Sequence, residues 1–541
     1  MDFSKQPASL HAREFAIVLA TAFALVHCGP IDPNADPAAI EDWSHVCGDG
    51  GDGSDGGDAS TADARTSDAA AADASSADAG PRDAAPSDAG TDASGPVPGA
   101  EPPITPHTDV ACTLRAAGGT CDIVLESSGT YVRQNGVTNG VRAGNRVCLR
   151  AGTYPNLLLE NWVGASGHPI EFVNCGGRVV VGAAGSGTGI GFQGSRYVRL
   201  SGTGSTSNTY GIFVAGTRDG TQGVAFAGLS SDVEAEFVEV AHAGFAGFMA
   251  KTDPSCANDD AVRGHFTMYN VLLHDNYVHD VGGEGFYVGN SFYAAGQQLT
   301  CNGVTVRKLP HELVGTRIYR NRVENSGAEG IQVGCGVRDT EVFRNTVRHP
   351  GSDPFAAYQN NGIQIGGGTS GRFYSNDVID AQGNGFIIIG LGDTWVYNNV
   401  IVRAANGMYV HHDASVGRTL VIAHNTIVSS RGGTDPARGV WVFNDSATIR
   451  AENNIVVNAT REQAFYLQNP AAHWTSLANF VTTDLTAPRF VDTSHDDYHL
   501  RADSVAGSHG VNAASDGIVF DHDYLPRNTT TGFDQGAFQI P

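Results

Sequence analysis

Apolar and polar residues alternate with a period of two in short runs along most of this chain. Residues 277–289 read YVHDVGGEGFYVG and residues 322–334 read RVENSGAEGIQVG. Shorter copies follow: NGIQIG from Asn361, NGFIII from Asn384, NGMYVH from Asn406 and RGVWVF from Arg438. A glycine holds one register throughout, at Gly285, Gly330, Gly362, Gly385, Gly407 and Gly439. The next residue is apolar, the one after varies, and the third is Val or Ile. That pattern predicts a short strand entered through a tight turn. A second anchor, Asn followed two positions later by Val or Ile, recurs at Asn276, Asn321, Asn345, Asn376, Asn399, Asn425 and Asn453. A strand and turn this short cannot bury its own apolar face. It must stack on its copies, which predicts a solenoid. The 3.6-residue periodicity of helices is hard to find.

Composition changes this picture mainly at the N-terminus. The chain has 541 residues and a net charge of −24. Residues 29–105 hold sixteen acids and two arginines, so −14 of that charge sits in one tract. The remainder is mildly acidic and carries no basic stripe, which argues against a nucleic-acid partner. The tract runs GDGGDGSDGGDAS and then repeats Ser/Thr-Asp-Ala, a composition that cannot offset the entropy of ordering. It is expected to be a disordered tether.

Residues 1–28 read as an export signal. Lys5 and Arg13 precede the apolar run FAIVLATAFALV, too short to span a bilayer comfortably. The run ends at Leu25-Val26-His27-Cys28, which resembles a bacterial lipobox; the resemblance implies acylation of Cys28 and a membrane contact through that anchor alone. His27 departs from the small residue the motif prefers, which leaves ordinary secretion as the alternative. Eight further cysteines fit an oxidising compartment, with their connectivity open.

From about residue 108 onward the Asn-x-Val/Ile and Gly-apolar-x-Val repeats resemble the coils of right-handed parallel β-helix proteins. The end, Tyr498-His499-Leu500 and then Asp534-Gln535-Gly536-Ala537-Phe538, resembles their closing segment. The resemblance implies an all-β right-handed parallel β-helix over residues 106–541, of roughly ten coils, expected as a monomer. It is specific for fold and poor for activity, because the superfamily includes lyases, hydrolases, epimerases and adhesins. No family's catalytic residues carry over.

Candidate chemistry therefore comes from columns. Equivalent positions on successive coils lie about 4.8 Å apart. The position before the glycine runs Ala246, Glu284, Glu329, Asn361, Asn384, Asn406, Arg438. Neighbouring columns bring His279 and Glu324, and His242 and Asp280, to the same two coils, with Arg348 on the next. The outward column runs Met249, Tyr287, Gln332, Gln364, Ile387, Tyr409, Trp441, an aromatic and amide surface suited to sugar rings and hydroxyls. Long insertions flank these coils and predict cleft walls. Two stacked carboxyl groups must share a proton or a cation. Glu284 and Glu329, with His279, Asp280, Glu324 and His242, are thus expected to form one polar cluster. Glu284, Glu329 and Glu324 are the expected Ca²⁺ ligands. Lys251 and Lys308, the two lysines beyond Lys5, are the candidate bases if the reaction is elimination. The expectation is an extracellular polysaccharide lyase or glycoside hydrolase. The alternative is a non-catalytic surface protein that binds glycans through the same face.

Overall fold

A computed structural model describes residues 102–540 apart from 128–130, 184, 413–416, 429, 432–435, 446, 459, 469–472 and 529–531. The expected export signal, the Cys28 anchor and the tether up to residue 101 lie outside the described residues. Its regular structure is mostly short parallel strands joined by turns, with two antiparallel pairs, no α-helix and no helix long and apolar enough to cross a membrane among the described residues.

Each coil contributes one strand to a twelve-stranded parallel sheet and, in most coils, two strands to a 23-stranded sheet. One coil shows the plan. Val271–His274 bends at Asp275 into Tyr277–His279, and a Gly-rich turn leads to Phe286–Val288 in the smaller sheet. The chain then returns one level along the axis, pairing Phe286 with Ile331 and Val278 with Val323. The twelve strands of the smaller sheet make twelve coils, two more than the repeats predict, because the early coils lack the Asn and Gly signatures.

The core is a stack of apolar rungs. Phe286 and Val288, Ile331 and Val333, and Ile363 and Ile365 face the interior, with one residue between each pair facing out. Inside the bend runs an amide ladder. Asn276 donates through Nδ2 to Asn321 Oδ1 at 3.1 Å, and the same bond repeats through Asn345, Asn376, Asn399, Asn425, Asn454 and Asn479. Each rung also donates to a backbone carbonyl of the preceding coil, as Asn376 does to Val342. The last expected anchor is off by one. Asn454 makes the rung, whereas Asn453 faces outward and donates to Val511 O and His424.

The bend before each rung needs a left-handed residue. Asp275, Arg320, Arg344, Ser375, Asn398 and His424 all have φ between 51° and 55°. A second left-handed corner holds His242, Asp280, Asn325, His349, Asp380 and Arg403, with φ from 52° to 60°. Asn, Asp and His are the non-glycine residues that tolerate this geometry best, which accounts for much of the polar character of that column.

The C-terminal segment folds back as a brace along the outside of the larger sheet. Phe490, Tyr498, Leu500 and Phe538 pack on Val400, Val402, Val428, Ile455 and Val457. Ile518 and Phe533 join a stacked outer row, Tyr319, Phe343, Tyr374 and Tyr397, whose rings repeat at 4.9 Å. Among the described residues three disulfides form: Cys112–Cys175 and Cys121–Cys148 at the first coils, and Cys256–Cys301 between two insertions. Cys335 is free and buried, and Cys47 lies outside the described residues.

Candidate functional site

The outward column forms as its spacing predicts. Met249, Tyr287, Gln332, Gln364, Ile387, Tyr409 and Trp441 pair in one register, and Tyr466 extends the row by a coil. The brace lies over the other sheet, so this face is covered only by insertions, and those stand over its first half. There Tyr287, Gln332 and Gln364 are buried. In the second half Tyr409, Trp441 and Tyr466 stay partly exposed. Tyr409 and Trp441 meet edge to face at 4.7 Å, and the Arg438 guanidinium lies 3.9 Å from the Trp441 ring centre. Trp441 donates through Nε1 to Gln468 at 3.1 Å. The result is a fixed aromatic ridge rather than scattered rings.

Two insertions form the wall over the first half, and they are stapled together. Cys256 bonds to Cys301, and Val262 bridges to Pro310. Lys308 donates to Ser255 O at 2.6 Å and Asn258 O at 3.0 Å, and pairs with Asp259 at 2.9 Å. These bonds engage Lys308 in holding the wall. Lys251 lies beneath it, with its ammonium 4.3 Å over the Tyr287 ring and 2.9 Å from Asp253. Burial alone would favour the neutral amine, but Tyr287 and Asp253 outweigh it and hold the pKa above the ordinary lysine value. A lysine held this way keeps its proton and is a poor general base, which corrects the expectation for Lys251.

Glu284 and Glu329 stack on successive coils, with Gly285 N donating to Glu329 O at 3.0 Å. Both are closed from solvent, at 1% and 0% exposure. They head a second polar ladder. Asn406 Nδ2 donates to Asn384 at 3.0 Å, Asn384 to Asn361 at 2.8 Å, and Asn361 to Glu329 Oε1 at 3.1 Å. Above that point the ladder stops, and Oε2 of each glutamate has no hydrogen-bond partner among the described residues. Burial raises the Glu284 pKa to about 7, against the opposing pull of its own backbone N–H and of Lys251. Burial, reinforced by the charge of Glu284, raises Glu329 to about 8. At neutral pH the pair therefore holds a proton.

The expected single cluster divides in two. His279, Asp280, Glu324 and His242 belong to the larger sheet and its left-handed corner, across the Gly-rich turn from Glu284. His279 pairs with Asp280 at 2.8 Å and with Glu239 at 3.4 Å. The Glu239 bond comes first in raising its pKa, over the opposing effect of burial, and Asp280 adds to it. Asp280 is lowered by His279 and Asn325. Burial pulls Glu324 upward, but Arg322 at 2.6 Å and the Tyr277 hydroxyl at 2.8 Å hold it below the ordinary range. Glu324 is thus not positioned to share a ligand with Glu284 and Glu329. Arg348 also leaves the expected face, turning on the larger sheet toward Asp496 of the brace at 3.3 Å. Column reading placed equivalent residues correctly along the axis, but it could not see the turn that separates the two faces.

Calcium takes six to eight oxygen ligands. The acid pair offers a protonated carboxyl group and a second carboxyl group within the field of the Lys251 ammonium, which is a poor fit. A trio that sequence reading missed, Glu234, Glu236 and His274, brings one ligand atom each within 4.8 Å. It too fits poorly. Arg199 pairs with both glutamates, Ser201 and Thr105 donate to Glu236, and Asp275 holds His274 Nδ1 at 2.8 Å. These acids already have their cations.

No curated protein matches the chain by sequence. Among solved structures it is similar to pectate lyase Pel9A, at 12% identity and a TM-score of 0.43, over 78% of this chain and 97% of that one. It is similar to an alginate lyase from Paenibacillus, at 14% identity and a TM-score of 0.31, over 66% of this chain and 100% of that one. A lacto-N-biosidase from Eubacterium ramulus is similar at 11% identity and a TM-score of 0.36, over 63% of this chain and 62% of that one. The family described as "Right handed beta helix region" matches residues 311–456, which hold six rungs of the amide ladder, Asn321 to Asn454. With that match inside coils of parallel strands that continue well beyond it on both sides, the chain folds as a right-handed parallel β-helix.

Proposed function

We propose that this protein engages an extracellular polysaccharide along the outward column of the smaller sheet. The observation that carries the reading is the ridge of Tyr409, Trp441 and Tyr466, continuous in register with Gln364 and Gln332 and leading to the acid pair. Flat aromatic faces in a row stack on sugar rings, and amides bond their hydroxyl groups. The three disulfides suit an exported chain. The acid pair favours hydrolysis over elimination if the glycan is cut. A carboxyl group that keeps its proton near neutral pH is a general acid, whereas both lysines are engaged elsewhere. The second reading, a non-catalytic binder, is favoured by the closure of both glutamates from solvent. An anchor at Cys28 remains part of the proposal and would hold the column at the cell surface.

A polysaccharide panel tests these readings together, with bound fraction, new reducing ends and unsaturated-uronate absorbance measured on each glycan. Binding with reducing ends and no such absorbance is the expected result. Binding alone moves the second reading ahead, and absorbance from unsaturated uronates overturns the preference for hydrolysis. Trp441→Ala is expected to weaken binding about fivefold, since one stacked aromatic is worth roughly 1 kcal/mol. Unchanged affinity would remove the ridge from the binding surface.

A further inference from the structure

Glu284 and Glu329 are among the least exposed residues of the chain, yet each keeps a carboxyl oxygen with no partner. A buried acceptor without a donor costs about 1–3 kcal/mol, so such a pair is a place built for something that is not always there. Next to it lies a segment bound only at its ends. Gly351 N donates to Ser326 O and Ala328 O, and Asp353 N to Gly327 O. At the far end Gly383 N donates to Asn360 O, while Asn361 Nδ2 reaches both Tyr358 O and Glu329 Oε1. Between Asp353 and Tyr358 no backbone hydrogen bond reaches the coils among the described residues. Most of residues 352–358 is exposed, and Phe355 keeps 51% of its surface in water. Phe355 lies 5.6 Å from the Phe245 ring, which in turn meets Tyr287 edge to face at 6.0 Å. Phe245 also packs beside Gly283, where a Cβ would fall 2.7 Å from its ring.

We propose that residues 352–358 are a lid over a subsite formed by Glu284, Glu329 and Gln332, which takes a hydroxyl-bearing sugar ring when the lid opens. The occupant rests on the glycan reading above; the lid does not. Sparse backbone bonding and thin packing are the marks of a segment that opens at low cost. The two unpartnered carboxyl oxygens, which carry a shared proton at neutral pH, and the buried Gln332 Oε1, also without a partner, exchange hydrogen bonds with the hydroxyl groups that an open lid admits. Asn361 links the lid's end to Glu329, so ionisation of the pair and opening of the lid are coupled. The groups that face the pair are Lys251, Tyr287 and Asn361, with Asp253 behind Lys251.

The test labels carboxyl groups of the whole protein with a carbodiimide and an amine, and reads Glu284 and Glu329 by peptide mass spectrometry. Shortening residues 353–357 to two glycines is expected to raise labelling of both about tenfold, with the β-sheet circular dichroism unchanged. Phe355→Ser, which leaves the loop's length intact, is expected to raise it by a smaller factor. Equal labelling in wild type and in both variants overturns the lid. A bound glycan from the panel that protects both glutamates supports lid and occupant together. Faster labelling in the variants with no protection by any glycan supports the lid and removes the sugar, so the two claims fail separately.

Discussion

Replacing Asn376 with Leu is expected to cost on the order of 4 kcal/mol of stability, from about 1–3 kcal/mol for each buried group left unpaired. Asn376 sits mid-ladder with no exposed surface. Its Oδ1 accepts from Asn345 Nδ2 at 3.0 Å and from Asn345 N at 3.1 Å, and its Nδ2 donates to Val342 O and Asn399 Oδ1 at 2.9 Å. Leucine matches the shape and removes all four bonds. Asn399 Oδ1 still accepts from the backbone of residue 376, and Asn345 Nδ2 keeps its bond to Ile318 O, but Asn345 N, the second Asn345 Nδ2 hydrogen and Val342 O each lose the partner that Asn376 supplied. The amides all point the same way along the axis, so each bond polarises the next and the loss extends beyond one rung. Urea denaturation checks it through the midpoint at constant slope. Asn258→Ala, exposed on an insertion, is the control for loss of an amide outside the ladder. A loss below about 1 kcal/mol for Asn376→Leu would mean that the ladder follows the fold rather than supporting it.

The second large effect is a fall in stability with rising pH, removed in part by Glu329→Gln. Folding raises the pKa of Glu284 to about 7 and of Glu329 to about 8 from 4.5. The native state therefore binds more protons than the unfolded state between the two limits, and stability decreases as pH rises. The contribution is whole below about pH 4.5 and is lost as pH passes through about 8. Each pKa unit is worth about 1.4 kcal/mol, so the pair removes several kcal/mol across that window. The titration belongs to the pair, since the charge of Glu284 raises Glu329, so removing Glu284 would also lower the pKa of Glu329. Histidines in the brace act in the same direction over a higher window. Asp523 leads in raising His499 to about 9. Burial opposes the rise of His522 to about 9, and Asp377 and Asp523 overcome it. Their contribution is whole below about pH 6.5 and lost through about 9. Chemical denaturation from about pH 5 to pH 9 should show a steep wild-type decline and a shallower one in Glu329→Gln between about pH 5 and pH 8. Parallel curves would mean that the pair is solvated and ionised in the native state.

The coils were legible in the sequence because their two strictest demands leave a residue signature. The bend accepts an inward amide and little else, so Asn recurs there. Val323 approaches Gly285, and Val347 approaches Gly330, so closely that a Cβ at either glycine would fall within 2.6 Å of the valine. Asn453 misled because two asparagines stand side by side and either satisfies the spacing. The stacking of Glu284 on Glu329 followed from the same register. Its burial did not, because the cover comes from an insertion with no repeat to align. The grouping with Glu324 and His279 failed at the turn, since residues four or five apart in sequence occupy different faces once the chain bends between them. The brace left almost no trace. Its contacts are long-range and irregular, and Arg348–Asp496 joins residues nearly 150 positions apart.

That brace also sets the copy number of the coils. In most solenoids each repeat meets only its neighbours, so repeats can be gained or lost without disturbing the rest. Here Asp496 holds both Arg348 and Arg403, Asp516 holds Arg450 while its carbonyl holds Arg372, and Arg527 reaches Asn398. One segment is thus measured against several levels of the stack at once. Duplicating a coil between Asn376 and Asn399 would shift the later levels by about 4.8 Å relative to the earlier ones. A segment of fixed length could then satisfy one set of partners or the other, never both. The brace serves as a ruler, and its contacts tie a repeating interior to one fixed length.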